Sequence, residues 1–201
     1  MLFRSVAGVD VQPATFVLFG ASGDLAAKKL LPAVYNLFAE GRLPQRFRLL
    51  GIGSSMPEHT FHDHMRAVVS AHSRTAVDPE RLEQLLQRCD YIQGDFTKHA
   101  LFAKLRTSLE EGDRALGGPT RRLFYLAVAP RFFGPIAQSL HEVGLARGAD
   151  PESVLMIEKP FGHNLQSAID LNREVTAAFD ERDILRLDHY LGKETVQNLL
   201  V

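Results

Sequence analysis

Two short segments of this chain contain charged residues of the types that bind and react with phosphorylated substrates, and each segment follows an apolar run. Lys159 follows the first run, and Asp188, His189 and Lys193 follow the second. Cationic side chains bind phosphate groups through charge-assisted hydrogen bonds, and a carboxylate can orient the base that removes a proton from a hydroxyl group. The two segments therefore favour chemistry on a phosphorylated, hydroxyl-bearing substrate.

A third segment, GASGDLA, begins at Gly20 directly after the apolar run 15–19 and has the spacing GxxGxxA. In a dinucleotide site the first glycine permits a tight turn, the second lets the backbone approach a phosphate, and the small third residue lets helix and strand pack closely. The pyrophosphate then lies at the positive end of the following helix, which we predict to begin near Asp24. Alone, the pattern is weak. The residues that we expect to hold the dinucleotide here are Gly20, Ala21, Ser22, Gly23, Asp24 and Leu25.

The elements that position these segments alternate along the chain between strand and helix. This alternation predicts an α/β fold with a doubly wound, mostly parallel, Rossmann-like sheet, in which ligands bind beyond the carboxyl ends of the strands. The predicted strands are 15–19, 46–52, 91–94, 122–128, 154–157 and 184–187. The predicted helices are one broken by Pro32 and ended by Gly41, then 57–73, 79–90, one from about 98 to 111, 135–143, and one from Asn164 or Ser167 to about 179.

Composition excludes several classes of protein. Of 201 residues 45% are hydrophobic, which is enough for a core, and a net charge of −1 with a pI near 6.7 provides no basic face for nucleic acid. No run approaches the roughly 18 apolar residues of a membrane span. The single Cys89 cannot form an intramolecular disulfide and suits a reducing compartment. We therefore predict a cytoplasmic protein without a membrane or nucleic-acid partner.

Metal binding is the less favoured explanation of the histidines in the predicted second helix. His59 and His62 are three residues apart and would share one helix face. A solvated amphipathic helix explains them without a metal, and no further ligand has suitable spacing. We predict no metal site, and a passive, partly buried thiol at Cys89.

The motifs GASGDLA, EKPFG and RLDHYLGKE, in this order and separation, closely resemble those of glucose-6-phosphate dehydrogenases. The resemblance extends from residue 15 to residue 201 and includes LFYLAVAP and the closing VQNLLV. It implies oxidation of glucose 6-phosphate at C1 to 6-phosphogluconolactone, with hydride transfer to NADP, as the first step of the pentose phosphate pathway.

The resemblance also implies roles for individual residues. Lys159, the lysine of EKPFG, corresponds to a family residue that contacts both substrate and coenzyme. Asp188 corresponds to the aspartate that orients a catalytic histidine. The substrate-binding residues implied by the resemblance are Lys29, Lys159, His189, Tyr190 and Lys193.

The end of the chain at Val201 is the larger departure from the family pattern. The family continues into a further domain, an antiparallel sheet with helices that carries the catalytic histidine and the dimer interface. We therefore expect residues 1–187 to form the coenzyme-binding domain and 188–201 the truncated start of the substrate domain. Full-length relatives are expected to be homo-oligomers through the further domain, and the chain alone is expected to be inactive.

The loop after the second strand is the other departure. Ser54 stands where the family usually has an arginine that pairs with the 2′-phosphate of NADP, and 51–55 contains no acidic residue for a free 2′-hydroxyl group. Serine hydroxyls, here Ser22, Ser54 and Ser55, can hydrogen-bond either form. NADP is thus favoured by the resemblance alone, and NAD stays possible.

Two other functions stay open at this point. A nucleotide-binding module without catalytic activity would explain the missing base. A short-chain oxidoreductase would share the GASG turn but needs a Tyr-x-x-x-Lys pair, and Tyr190 and Lys193 are one residue too close. The second of these alternatives is the weaker.

Overall fold

The computed structural model describes residues 12–162 and 164–187. Six strands form one sheet in the order β3-β2-β1-β4-β5-β6, and every neighbouring pair is parallel. The predicted doubly wound, Rossmann-like fold is confirmed. The strands are β1 Ala14–Phe19, β2 Phe47–Gly53, β3 Cys89–Gln93, β4 Arg121–Leu126, β5 Ser153–Glu158 and β6 Ile184–Leu187.

Helices cover the sheet on both faces. They are α1 Leu31–Ala39, α2 Phe61–His72, α3 Pro79–Leu86, α4 His99–Ala115, α5 Phe133–Glu142 and α6 Leu165–Ala178. All six residues of β1 are buried, as a continuous apolar run in the centre of a parallel sheet requires. Phe16 and Leu18 pack with α1, α2 and α3, whereas Val17 and Phe19 pack with α4, α5 and α6.

The strand order creates a crevice beside β1. The chain proceeds outward from β1 through β2 to β3 and then crosses to β4 on the other side of β1. The loops after β1 and β4 therefore leave the sheet in opposite directions at this topological switch point, where open α/β sheets bind ligands.

The predicted break at Pro32 is wrong. Pro32 lies inside α1, and a single wide π turn, Ala26–Leu30, precedes it, with the Leu31 amide donating to the Ala26 carbonyl. Proline has no amide hydrogen, and its ring clashes with the carbonyl four residues earlier in a regular helix. The wide turn relieves this conflict without interrupting the helix.

Two other helix ends differ from prediction because tertiary contacts decide them. Helix α3 ends at Leu86 rather than near residue 90, since Cys89 already pairs with Leu49 in the sheet. Helix α4 continues to Ala115 rather than about residue 111, and its last turn includes Asp113, which bonds to β4. Local propensity alone could not indicate either partner.

Both residues that the sequence predicted as possible first residues of this helix take part in the amino end of α6. Asn164 is the N-cap, and its side chain accepts from the Ser167 amide at 2.9 Å. The Ser167 hydroxyl in turn accepts from the Asn164 amide at 3.0 Å. The two form a reciprocal capping box, so Asn164 precedes the helix and Ser167 completes its first turn.

A buried ionic network ties α4 to the amino end of the sheet. Arg122, with a side chain only 3% exposed, donates to both carboxylate oxygens of Asp113 and to the Thr120 hydroxyl. Thr120 also shares a hydrogen bond of 2.8 Å with Thr15 of β1. Burial raises the pKa of Asp113, but the bonds from Arg122 and Thr120 outweigh it and hold that pKa below its ordinary value.

Within the described ranges, no helix has both the length and the hydropathy needed to cross a bilayer.

Candidate functional site

The glycine turn after β1 packs tightly against the loop after β4. Gly20 has a φ of +83°, and its amide donates to the Ile52 carbonyl at 2.8 Å. A Cβ atom at Gly20 would lie 2.2 Å from the Ala127 carbonyl oxygen. Both the left-handed backbone and this close approach require glycine. The first glycine of the motif therefore serves the fold.

The second glycine is open on its side-chain side. The Gly23 amide donates to the Gly20 carbonyl at 2.9 Å, and among the described residues a Cβ atom at Gly23 would meet only that carbonyl oxygen, at 3.1 Å. Ala26, the third motif residue, is completely buried in the core cluster of α1 to α3. The turn thus leaves open space beside Gly23 and directs a helix amino end toward it. This arrangement fits a dinucleotide pyrophosphate.

Charged side chains line the exposed side of the helix that follows. Asp24 is exposed at the first turn and pairs with Lys28 at 3.0 Å. Leu25 packs partly buried against the core, and Lys29 is exposed. Lys28 balances the carboxylate of Asp24, which would otherwise repel an anionic ligand at this helix end.

The loop after β2 lies against the glycine turn and the end of β3. Ser22 and Ser55 share a hydroxyl–hydroxyl hydrogen bond of 3.0 Å. The side-chain amide of Gln93 donates to the Ser54 carbonyl at 3.2 Å, which leaves the exposed Ser54 hydroxyl group on the loop surface. Ser22, Ser54 and Ser55 therefore come together at one edge of the crevice, as the order of the parallel strands predicts.

Sequence reasoning missed a charged pair beside this loop. Glu58 accepts the Gln93 amide at 3.0 Å and the ammonium group of Lys104 at 2.5 Å. The bond from Lys104, followed by the bond from Gln93, lowers the pKa of Glu58 below its ordinary value. Because Glu58 and Lys104 are 46 residues apart, no local pattern could have found the pair.

The other edge of the crevice is formed by the ends of β5 and β6. Lys159 follows β5 directly, its side chain is exposed, and its amide donates to the Leu187 carbonyl at 3.3 Å. Glu158, the last residue of β5, accepts a hydrogen bond from the buried Tyr125 hydroxyl group. The peptide bond between Lys159 and Pro160 is cis.

The predicted residues Asp188, His189, Tyr190 and Lys193 lie outside the described residues.

His62 and Cys89 take structural contacts. The His62 Nε2 atom lies 2.8 Å from the Cys89 carbonyl oxygen. Cys89 is 2% exposed, its thiol donates to the Leu85 carbonyl at 3.2 Å, and burial raises its pKa. Across residues 12–162 and 164–187, no three or more histidine, cysteine, aspartate or glutamate side chains group as metal ligands.

Comparison with known families decides the relationship of this chain. The family model described as "Glucose-6-phosphate dehydrogenase, NAD binding domain" matches residues 17–198. The chain belongs to this family. The resemblance seen in its three motifs is thereby confirmed.

Curated relatives and solved structures support the same family assignment. A "Glucose-6-phosphate 1-dehydrogenase 2" of Mycobacterium tuberculosis is 42% identical over 190 residues, covering 94% of this chain and 37% of the relative. A glucose-6-phosphate 1-dehydrogenase of Schizosaccharomyces pombe is 42% identical and covers 92% and 36%. The crystal structure of the Mycobacterium avium enzyme superposes with a TM-score of 0.78 at 33% identity, covering 92% and 38%.

A further structure contains a ligand. It is a glucose-6-phosphate dehydrogenase in complex with its substrate glucose-6-phosphate, with a TM-score of 0.80 and 32% identity over 97% of this chain and 40% of that one. The chain thus spans well under half the length of the relatives that it matches.

Proposed function

We propose that this chain is the coenzyme-binding part of an NADP-dependent enzyme that oxidises glucose 6-phosphate to 6-phosphogluconolactone. The observation that carries the proposal is the open space beside Gly23, at the amino end of a helix and at the switch point of the sheet. When bound, the nicotinamide ring accepts a hydride from the sugar. The chain itself binds and orients both ligands.

Each edge of the crevice has a proposed task. The amides at the helix amino end and the helix dipole hold the pyrophosphate beside Gly23, and the Ser54 loop faces the adenosine ribose. Lys159 lies at the opposite edge and contacts both substrate and coenzyme, as its position in EKPFG implies. Lys29 and the positions in the DHYLGK motif complete the substrate-binding set, with Asp188 orienting the catalytic histidine of the family. Homo-oligomer formation and a cytoplasmic location stay predictions.

Calorimetric titration of the chain tests the proposal. NADP should release or absorb heat with a defined stoichiometry, and glucose 6-phosphate should bind to the chain saturated with NADP, whereas glucose, which lacks only the phosphate, should bind far more weakly. Absence of binding by both NADP and NAD at millimolar concentration would refute the proposal. Binding of coenzyme without sugar phosphate would limit the chain to the coenzyme role.

Coenzyme preference depends on the loop after β2. We propose that NADP is bound with its 2′-phosphate near Ser54, where hydroxyl groups and the Glu58–Lys104 pair provide the polar contacts. Glu58 neutralises much of the charge of Lys104 at 2.5 Å, so this edge discriminates weakly between NADP and NAD.

Ser54→Arg should increase the preference for NADP over NAD by about ten- to a hundredfold, because a charge-assisted hydrogen bond to phosphate contributes roughly 1.5–3 kcal/mol. The two dissociation constants, measured by calorimetry for wild type and variant, provide the ratio. Ser70→Arg adds the same charge at an exposed position of α2 and should leave the ratio unchanged. An unaltered ratio in Ser54→Arg would mean that another cation already contacts the phosphate.

A further inference from the structure

A buried tyrosine reaches the rim of the crevice from inside the core. Tyr125 of β4 is 2% exposed, and its ring meets Phe16 of β1 edge-on with centroids 5.9 Å apart. Its hydroxyl group donates to the carboxylate of Glu158. The ring is thus held by apolar packing on the α1–α3 side of the sheet, while the polar end contacts a charged group at the carboxyl edge.

The carboxylate that accepts this hydrogen bond lies at the edge of the sheet where the proposed ligands bind. Glu158 is the last residue of β5 and pairs in register with Leu187 of β6, and Lys159 follows it directly. The rim therefore presents a negative and a positive charge in succession at the place where the proposed ligands, both phosphorylated anions, approach. A carboxylate turned outward would repel those anions and would compete for the ammonium group of Lys159.

We propose that Tyr125 is a positioning residue, which holds the Glu158 carboxylate toward the core so that the positive charge of Lys159 faces the anionic ligand. This inference rests on the proposed function, which gives Lys159 its ligand contacts. Burial and the neighbouring Glu158 both raise the pKa of Tyr125, so its hydroxyl group stays a donor throughout the physiological range.

A purely structural role for the hydroxyl group makes a different prediction. Removing one buried hydrogen bond would then lower stability and leave ligand affinity unchanged. Tyr35 provides the matched control, because it is 1% exposed, belongs to the same core cluster and accepts a hydrogen bond from the Asp78 amide at 2.7 Å. Tyr35 belongs to α1 and not to the rim.

The experiment measures dissociation constants for NADP, and for glucose 6-phosphate with NADP bound, in variants of the whole chain. Tyr125→Phe should raise them about fivefold or more, the effect of one unit charge near 4 Å in water, and Tyr35→Phe should not. Adding Glu158→Gln to Tyr125→Phe should restore affinity, because the amide has no charge to release. The loss in Tyr125→Phe should also shrink at 1 M salt, where the screening length is about 3 Å.

Four results would overturn the inference. Unchanged affinity in a folded Tyr125→Phe would do so, as would failure of Glu158→Gln to restore it. Should Tyr125→Phe not fold, Glu158→Gln alone decides: nearly wild-type affinity is expected, and a large loss would make Glu158 itself a ligand contact. Lys159→Ala separates the two proposals. If it leaves both affinities unchanged, the proposed role of Lys159 is wrong, and so is the inference about Tyr125. If it weakens binding, the proposed role of Lys159 is supported, and the Tyr125 and Glu158 variants test the inference alone.

Discussion

Gly23→Leu should abolish dinucleotide binding while the chain stays folded. Gly23 does not have the left-handed backbone that would exclude a side chain, and within the part of the chain that the structure describes a Cβ atom there meets only the Gly20 carbonyl oxygen, at 3.1 Å. The leucine side chain would instead fill the open space where we place the pyrophosphate. Loss of two amide–phosphate hydrogen bonds, each contributing roughly 1.5–3 kcal/mol, corresponds to a dissociation constant raised at least about a hundredfold.

Calorimetry with NADP measures this loss, and circular dichroism checks the fold. Gly117→Leu is the control: Gly117 has a φ of +78°, no atom of residues 12–162 or 164–187 would lie within 4 Å of a Cβ atom there, and the residue lies between α4 and β4 at the amino edge of the sheet. Strain at Gly117 should lower stability and leave NADP affinity unchanged. Retained binding by Gly23→Leu would place the pyrophosphate elsewhere.

Asp113→Ala should lower the free energy of unfolding by about 3–5 kcal/mol, the usual cost of leaving one member of a buried ion pair unpaired. Its partner, Arg122, is only 3% exposed and would keep its charge without a counter-ion. Urea denaturation measures the loss. Asp170→Ala removes a carboxylate from an exposed pair with Arg173 on α6 and should change stability by no more than about 0.5 kcal/mol.

The same network predicts how stability depends on pH. The pKa of Asp113 is lower in the folded chain than in the unfolded chain, where it is about 3.9. The contribution of the ionised carboxylate is therefore fully present above that value and is lost as pH falls through the lower, folded pKa. The stability difference between wild type and Asp113→Ala should shrink on acidification below about pH 4. A difference that stays constant there would show that ionisation of Asp113 contributes little.

The fold could be predicted from the sequence because its signals are local. Continuous apolar runs identified the buried parallel strands, and glycine, proline and capping residues identified most of the turns. The predictions failed where the end of a helix or strand depends on a residue distant in the sequence. Cys89 joins the sheet because Leu49 lies beside it, and α4 continues because Asp113 meets Arg122.

In the candidate site, too, local contacts could be predicted from the sequence and long-range contacts could not. Gly20 and Gly23 bond to each other across three residues, so their spacing was visible as a motif. The contacts of Tyr125 with Glu158 and of Gln93 with Ser54 join residues 33 and 39 positions apart. Such contacts depend on strand order and register, which no local pattern specifies.

The wide turn before Pro32 has a consequence for comparing this chain with its relatives. A π turn holds one residue more than an α turn, and consecutive helical residues are about 100° apart around the axis. The residues before Ala26 and those after Leu30 therefore do not share one helical wheel. A relative with a one-residue gap in this turn would have an ordinary α turn there, and its glycine motif and the buried stripe of α1 would keep their relative orientation, because the wide turn absorbs the extra residue. An alignment gap here thus marks a local change in helix width, and not a change in the direction of the coenzyme-binding end.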